Sequence, residues 1–224
     1  MSEIMEPRIE EQPGEKLSWS KVWISVITRP STQTFEWILR DPQASPRRAY
    51  LWVFICALIG GIITSVYSML GFTAGLGEFE SSYLYLICTP VIAAVSVLLV
   101  AFYAWLTQSI ASRFFGGTGT YASMVYATAG YLAPMSLISS LISGIPLVNC
   151  LGIFLAIYYI VLGVISVKAV NKIGWGQAAI SYFALPVLVF GITFVLTICV
   201  LVLLGPAISN VFENIILESG GVLP

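Results

Sequence analysis

Five long apolar stretches fill most of the sequence after Arg48, and they restrict the chain to a membrane protein. They cover residues 50–70, 83–110, 121–142, 147–167 and 178–204. Each is long enough for an α-helix to cross about 30 Å of hydrocarbon, which takes about 20 residues. Charged residues make up only 9% of the chain, whereas an average soluble domain has about 25%. The sequence therefore predicts an integral membrane protein.

The stretches are continuously apolar and do not alternate, which favours membrane-spanning helices over a β-barrel. The predicted fold is all-α, a polytopic five-helix transmembrane bundle preceded by short amphipathic helices. The second and fifth stretches exceed the minimum length, and they contain Pro90 and Pro186. A tilt or a proline kink can accommodate the extra residues.

The basic residues outside these stretches predict the orientation. Seven of the ten Lys and Arg precede the first span, and the others are Arg113, Lys168 and Lys172. With five spans all ten fall on one side, which the positive-inside rule assigns to the cytoplasm. We expect an integral membrane protein with its N-terminus in the cytoplasm and its C-terminus outside. The predicted parts are a disordered acidic tail (1–16), a cytoplasmic amphipathic arm (17–48), the membrane domain (49–205) and a short extracytoplasmic tail (206–224).

The arm carries an amphipathic pattern. Within residues 17–28 the apolar side chains recur at i, i+3, i+4, i+7 and i+8, which predicts a helix, and a second helix should follow from Ser31 as N-cap. Trp19 and Trp23, with Lys21 beside them, are the predicted membrane-interface anchors, because Trp and basic side chains suit the headgroup boundary. Packing of both helices against the bundle is a compatible alternative.

Residues that carry chemistry are scarce. The chain has no His, which excludes a Ser-His triad and a His-containing zinc site. Asp41 is the single aspartate and precedes the first span, no ionisable group lies well inside a span, and the four Cys lack a CxxC spacing. We therefore predict no catalytic residue, no cofactor, no metal site and no enzymatic activity. The net charge of −1 and the lack of a basic run argue against nucleic acid as a partner.

Small residues recur at every fourth position in the first and third spans, which places each set on one helix face and allows close helix packing. The predicted packing residues are Ala57, Gly61, Ser65, Ala129, Ala133, Ser136 and Ser140. Packing within the chain is the first interpretation. Contact with a second copy or with a partner's helix is the alternative. A further alternative is that the hydroxyls on the third span line a polar groove.

Three segments carry short Gly- and Pro-containing motifs: residues 26–35 before the first span, 115–134 at the third, and 161–186 across the last two. In this order they resemble the Yip domain family of Ypt/Rab-interacting membrane proteins, especially its prokaryotic branch. The residues that carry the resemblance are Pro30, Phe35, Gly116, Gly117, Gly119, Pro134, Gly163, Ala178 and Pro186. From the residues alone, the run 116–119 lacks the Lys-Ser/Thr of a phosphate-binding loop and is interpreted as a flexible turn.

The resemblance implies a five-span protein of a prokaryotic cytoplasmic membrane. Eukaryotic relatives bind Rab-type GTPases in vesicle trafficking and membrane shaping. The acidic-aromatic Gly-Pro motif that many of them carry before the first span is absent here, so GTPase binding is not carried over to this chain.

Two classes of function stay open. The first is a non-enzymatic scaffold or adaptor whose partners are the lipid bilayer and other membrane proteins or a second copy. The second is a small transporter or lipid-handling protein with an uncharged path beside Pro90, Pro134 and Pro186, since interrupted helices can mark a transport site. A filled core would favour the first class, and a hydrated cavity that reaches the bilayer midplane would favour the second.

Overall fold

The computed structural model describes residues 16–70, 79–143 and 151–218, except the side chains of 79–84, 151 and 206–218. Within these ranges the regular structure is entirely α-helical. The seven helices there are α1 (Trp19–Thr28), α2 (Thr32–Leu39), α3 (Pro46–Met69), α4 (Phe79–Phe115), α5 (Tyr121–Ser143), α6 (Leu151–Asn171) and α7 (Trp175–Glu218). The predicted all-α fold is confirmed.

Five of these helices contain segments that are long and apolar enough to cross a membrane. The segments are Pro46–Met69, Tyr85–Phe115, Tyr121–Ser143, Gly152–Asn171 and Trp175–Gly205, which confirms the five predicted spans. Helices α4 and α7 are 37 and 44 residues long, well beyond the length that the hydrocarbon core requires. Neither Pro90 in α4 nor Pro186 in α7 ends its helix.

Serine caps start the first three helices. The hydroxyl of Ser18 accepts a hydrogen bond from the backbone N–H of Lys21 at 3.3 Å, and Ser31 accepts one from Thr34 N at 3.1 Å. Ser45 does the same for α3, where Pro46 occupies the first turn. Each cap satisfies one N–H that the start of a helix leaves without a partner. Ser31 is thus the N-cap that the sequence predicts.

The chain divides into two compact units, Met1–Tyr182 and Phe183–Pro224. The first contains α1 to α6 and the beginning of α7, and the second contains the rest of α7, which is strongly apolar.

Helix α5 is the centre of the first unit. It packs against α1, α2, α3, α4 and α6, and within residues 124–135 every residue except Leu132 is buried. Its largest buried side chains are Met124, Tyr126, Tyr131 and Met135. Side chains of this size fill the space between the surrounding helices, as close packing in protein interiors requires.

Candidate functional site

Helices α1 and α2 form a hairpin, residues 19–39, whose inner face packs against α5 and α6. Val22, Val26, Phe35 and Ile38 of this face are completely buried. A Cβ atom added to Gly130 of α5 would lie 3.5 Å from Ile38 Cδ1 and 3.8 Å from Val22 Cγ1. The amphipathic pattern of the arm therefore serves contact with the bundle.

An aromatic cluster joins the hairpin to the bundle. The ring centroids of Trp19 and Trp23 are 6.3 Å apart, and they lie 6.0 and 5.9 Å from the ring of Trp52 in a tilted, edge-on arrangement. Trp52 is fully buried and contacts Tyr126 at 5.1 Å. Trp19 and Trp23 are only half-buried, so each packs on the bundle and keeps some exposed surface. Lys21 is exposed on the same helix.

A buried ion pair holds the base of the hairpin. Arg48 Nη1 donates to Asp41 Oδ2 at 2.7 Å, with side-chain exposures of 10% and 0%. Tyr126 Oη donates to the same carboxylate oxygen at 3.3 Å, Gln43 N donates to Oδ1 at 2.9 Å, and Arg48 Nη2 donates to the carbonyl oxygen of Leu17 at 2.5 Å. One guanidinium therefore ties α3 to the segments before α1 and after α2.

Sequence reasoning missed this pair. Arg48 was counted with the basic residues that flank the first span, and Asp41 served only to exclude an intramembrane pair of aspartates. Pro42 lies between the two residues and interrupts any helix that would join them. Their spacing of seven residues therefore does not predict a contact. The one available signal is that the single aspartate of the chain lies close to the start of a span.

Residues 116–120 form a turn packed on the end of α6. Gly117 N donates to Ala111 O at 2.9 Å, Thr118 N donates to Asn171 O at 3.2 Å, and Gln108 Nε2 donates to Gly119 O at 2.7 Å. A Cβ at Gly117 would lie 2.7 Å from Asn171 Oδ1, closer than Cβ contacts allow. The predicted turn is present, and the close approach of Asn171 and Val170 explains the glycines at 117 and 119. Its flexibility stays a prediction.

The same turn brings the ends of several helices together at what we call the basic end, where α3 begins, α4 ends, α5 begins and α6 ends. Its cations are Arg47, Arg48, Arg113, Lys168 and Lys172. The ammonium of Lys168 lies 3.8 Å from the ring centroid of Trp175. The hydroxyls of Tyr50 and Tyr121 are 2.6 Å apart and join the starts of α3 and α5.

The predicted packing residues of the first and third spans lie on α3 and α5, at contacts between helices of this chain. A Cβ on Gly61 would lie 2.5 Å from Thr89 Cγ2 of α4. On α5, Ala129 and Ala133 are buried. Three hydroxyls bond backbone carbonyls of their own helix: Ser65 to Gly61 O, Ser136 to Ala133 O, and Ser140 to Ser136 O. Ala57 is half-buried on α3.

The remaining motif residues are spread through the fold. Pro30 is exposed between α1 and α2, Pro134 is buried within α5, and Ala178 is buried in the first turn of α7. Gly163 of α6 lies against the ring of Tyr182 with no room for a Cβ. Pro186 belongs to the second unit.

Tyrosine rings from four helices fill the interior beside α5. Tyr131 contacts Tyr159 with ring centroids 5.3 Å apart, and Tyr103 contacts Tyr182 at 5.9 Å. Tyr103 also donates to the backbone carbonyl of Tyr182 at 3.3 Å. Among the described residues, no three His, Cys, Asp or Glu side chains come close enough to hold a metal. The arrangement suits packing and surface recognition.

Comparison with known proteins gives one match. The Yip1 domain model matches residues 24–208, which include the five spans, the turn at 116–120 and most of the hairpin. No curated protein and no solved structure matches the chain significantly. The family match covers most of the chain. This protein therefore belongs to the Yip1 domain family.

Proposed function

We propose that this protein is a non-enzymatic scaffold or adaptor that organises the bilayer or a membrane complex around it. The family is not a known enzyme family, and its members work in membrane complexes. The observation that carries the proposal is the filled interior around α5, where Met124, Tyr126, Tyr131 and Met135 are buried. Within the residues that the structure describes, large side chains occupy the interior around α5, and this supports a function at the outer surface of the protein.

The filled interior also argues against the transporter alternative. Pro134, one of the three prolines that suggested an interrupted helix, is buried within a continuous α5. The rings of Tyr103, Tyr131 and Tyr159 occupy the space that an uncharged path would need. Close-packed protein interiors have few voids larger than a water molecule, which leaves no path for a solute.

The hairpin is the surface best suited to a partner. Its inner face is buried, and the ion pair and the Trp cluster hold it in place, so its outer face is presented in a fixed orientation. The exposed side chains of that face are mainly polar, namely Ser20, Lys21, Ile24, Thr28 and Gln33. A preorganised surface of this kind binds with less loss of conformational entropy than a loose tail.

Photo-cross-linking in native membranes tests the scaffold proposal. A photoreactive amino acid at Gln33 should give a discrete protein adduct, whereas the same probe at Leu98, an exposed residue of α4, should give mainly lipid adducts. The protein adduct should weaken when Asp41→Asn loosens the hairpin and persist with Arg47→Gln. Lipid adducts alone at Gln33 would contradict the proposal. Facilitated passage of lipids or neutral solutes in proteoliposomes, above a protein-free control, would favour the alternative.

A further inference from the structure

The hairpin runs alongside the bundle and does not lie across its end. Tyr158 Oη donates to the carbonyl oxygen of Ile27, and Tyr158 lies thirteen residues before the end of α6 at Asn171. At 1.5 Å per residue this contact is about 20 Å from the basic end. Phe35 contacts Tyr131, about 15 Å from the start of α5. Both contacts place the turn between α1 and α2 deep beside the spans.

For helices that cross a bilayer from the basic end, this depth falls within the hydrocarbon core. The cations of the basic end mark the boundary of the bilayer, since charged side chains avoid its interior. Phe102 and Trp105 of α4 lie at a comparable depth, about 15–20 Å from Phe115, and both are exposed apolar rings that suit lipid. With a core about 30 Å thick, the turn of the hairpin lies near the bilayer midplane.

Arg29 occupies this turn with an exposed side chain. The backbone on either side is held in place, because Thr28 Oγ1 donates to Ile24 O at 2.7 Å and Thr34 Oγ1 donates to Arg29 O at 2.7 Å. Among the described residues, Arg29 has no carboxylate within ion-pair distance. An ionised guanidinium facing hydrocarbon is costly, so such residues mark a functional contact or draw water and headgroups inward.

We propose that Arg29 binds the phosphate of an anionic phospholipid headgroup, which is drawn toward the midplane beside the turn of the hairpin. Residues 19–39 contain two cations and one carboxylate, Lys21, Arg29 and Glu36, so their net charge favours an anion. A guanidinium matches phosphate oxygens in a bidentate geometry. The bilayer beside the hairpin is therefore locally thinned. The proposal rests on the spans and does not require the scaffold function.

The depth of the turn is tested by spin labelling of the full chain in nanodiscs of phosphatidylethanolamine and phosphatidylglycerol. All four native cysteines are replaced, and one label is placed at Thr28→Cys or, as the control, at Phe102→Cys. A headgroup environment predicts that a water-soluble nickel complex reaches the label at position 28, while oxygen reaches the label at position 102. The same oxygen-dominated access at both positions would mean that lipid tails surround the turn and that no headgroup reaches it, which would overturn the proposal.

The lipid itself is tested by titrating phosphatidylglycerol against the purified protein and counting bound lipids by native mass spectrometry. Arg29→Gln should bind phosphatidylglycerol about tenfold more weakly, as expected for the loss of one charge-assisted contact. Arg47→Gln removes the same charge at an exposed arginine of the basic end, outside the hairpin, and should lose clearly less phosphatidylglycerol binding than Arg29→Gln. Should Arg29→Gln fail to fold, Arg29→Lys keeps the charge without the fork and should show a smaller loss.

Two results would overturn the lipid assignment even with nickel access at position 28. Unchanged phosphatidylglycerol binding by the Arg29 variants would indicate a water-filled cleft or a polar protein partner. Displacement of the lipid by inorganic phosphate at similar concentration would indicate a site for free phosphate.

Discussion

At the residue scale, the buried pair of Asp41 and Arg48 matters most. Two charges with almost no solvent exposure are tolerated only when they pair with each other and when hydrogen bonds satisfy their remaining polar atoms. Arg48 also lies over the ring of Trp52, with Cζ 5.1 Å from the ring centroid. Removing one partner leaves the other charge buried without compensation, and this costs more than the pair contributes.

We predict that Asp41→Asn lowers the free energy of unfolding by about 3 kcal/mol, within the range for breaking a buried pair. Thermal unfolding in detergent measures the loss, and Arg47→Gln is the matched control at an exposed neighbour. The double variant Asp41→Asn with Arg48→Met should recover part of the stability, because it removes the unpaired charge. Strictly additive losses in this cycle would mean that the two residues are not coupled.

At the scale of elements, the hairpin depends on contacts that its own sequence does not contain. Trp19 and Trp23 pack against Trp52, and Phe35 packs edge-on against Tyr131. Isolated helices of 10 and 8 residues are marginal in water, so this packing supplies most of their stability. The role of the two tryptophans as interface anchors stays a prediction.

Replacing Trp19 and Trp23 together with Ser should release the hairpin. Each ring is half-buried, so we expect about 2–4 kcal/mol lost in total, below the sum for two fully buried rings. Protease access at Lys16, Lys21 and Arg29 in nanodiscs should rise at the same time. Ile24→Ser, at an exposed position of α1, is the control and should change little. Lower stability with unchanged protease access would show that the rings act only in core packing.

At the scale of the whole molecule, the question is which side of the membrane the basic end faces. The turns that contain Thr118 and Gly174 lie near this end, because Thr118 N bonds Asn171 O and Gly174 follows Asn171 closely along the chain. The predicted five-span topology has the C-terminus on the opposite side of the membrane from the first turn of α3.

Cysteine labelling in intact cells checks this orientation. In a background without native cysteines, Ser81→Cys and Glu218→Cys should react with an impermeant thiol reagent added outside. Thr118→Cys and Gly174→Cys should react only after the membrane is permeabilised, since the positive-inside rule places the basic end in the cytoplasm. Labelling of Thr118→Cys from outside would contradict the five-span orientation.

Much of the architecture is readable from the sequence. Apolar length predicts the five spans, since a bilayer imposes one minimum length on every crossing helix. Periodicity predicts α1, and the serine at position 31 predicts the start of α2. The role of the glycines at 117 and 119 is not readable from the sequence. They allow Asn171 and Val170 to pack closely against the turn, and these residues lie about fifty residues further along the chain.

The sequence by itself determined those properties that depend on neighbours along the chain: the number of spans, the short helices before them and the start of α2 at its serine cap. Only the tertiary structure decided that Asp41 meets Arg48, that Trp52 packs against the tryptophans of α1, and that Tyr158 bonds the backbone of Ile27. The physical reason is that these contacts join segments separated by turns and whole helices, and hydrophobic burial specifies which face is covered without specifying the partner that covers it.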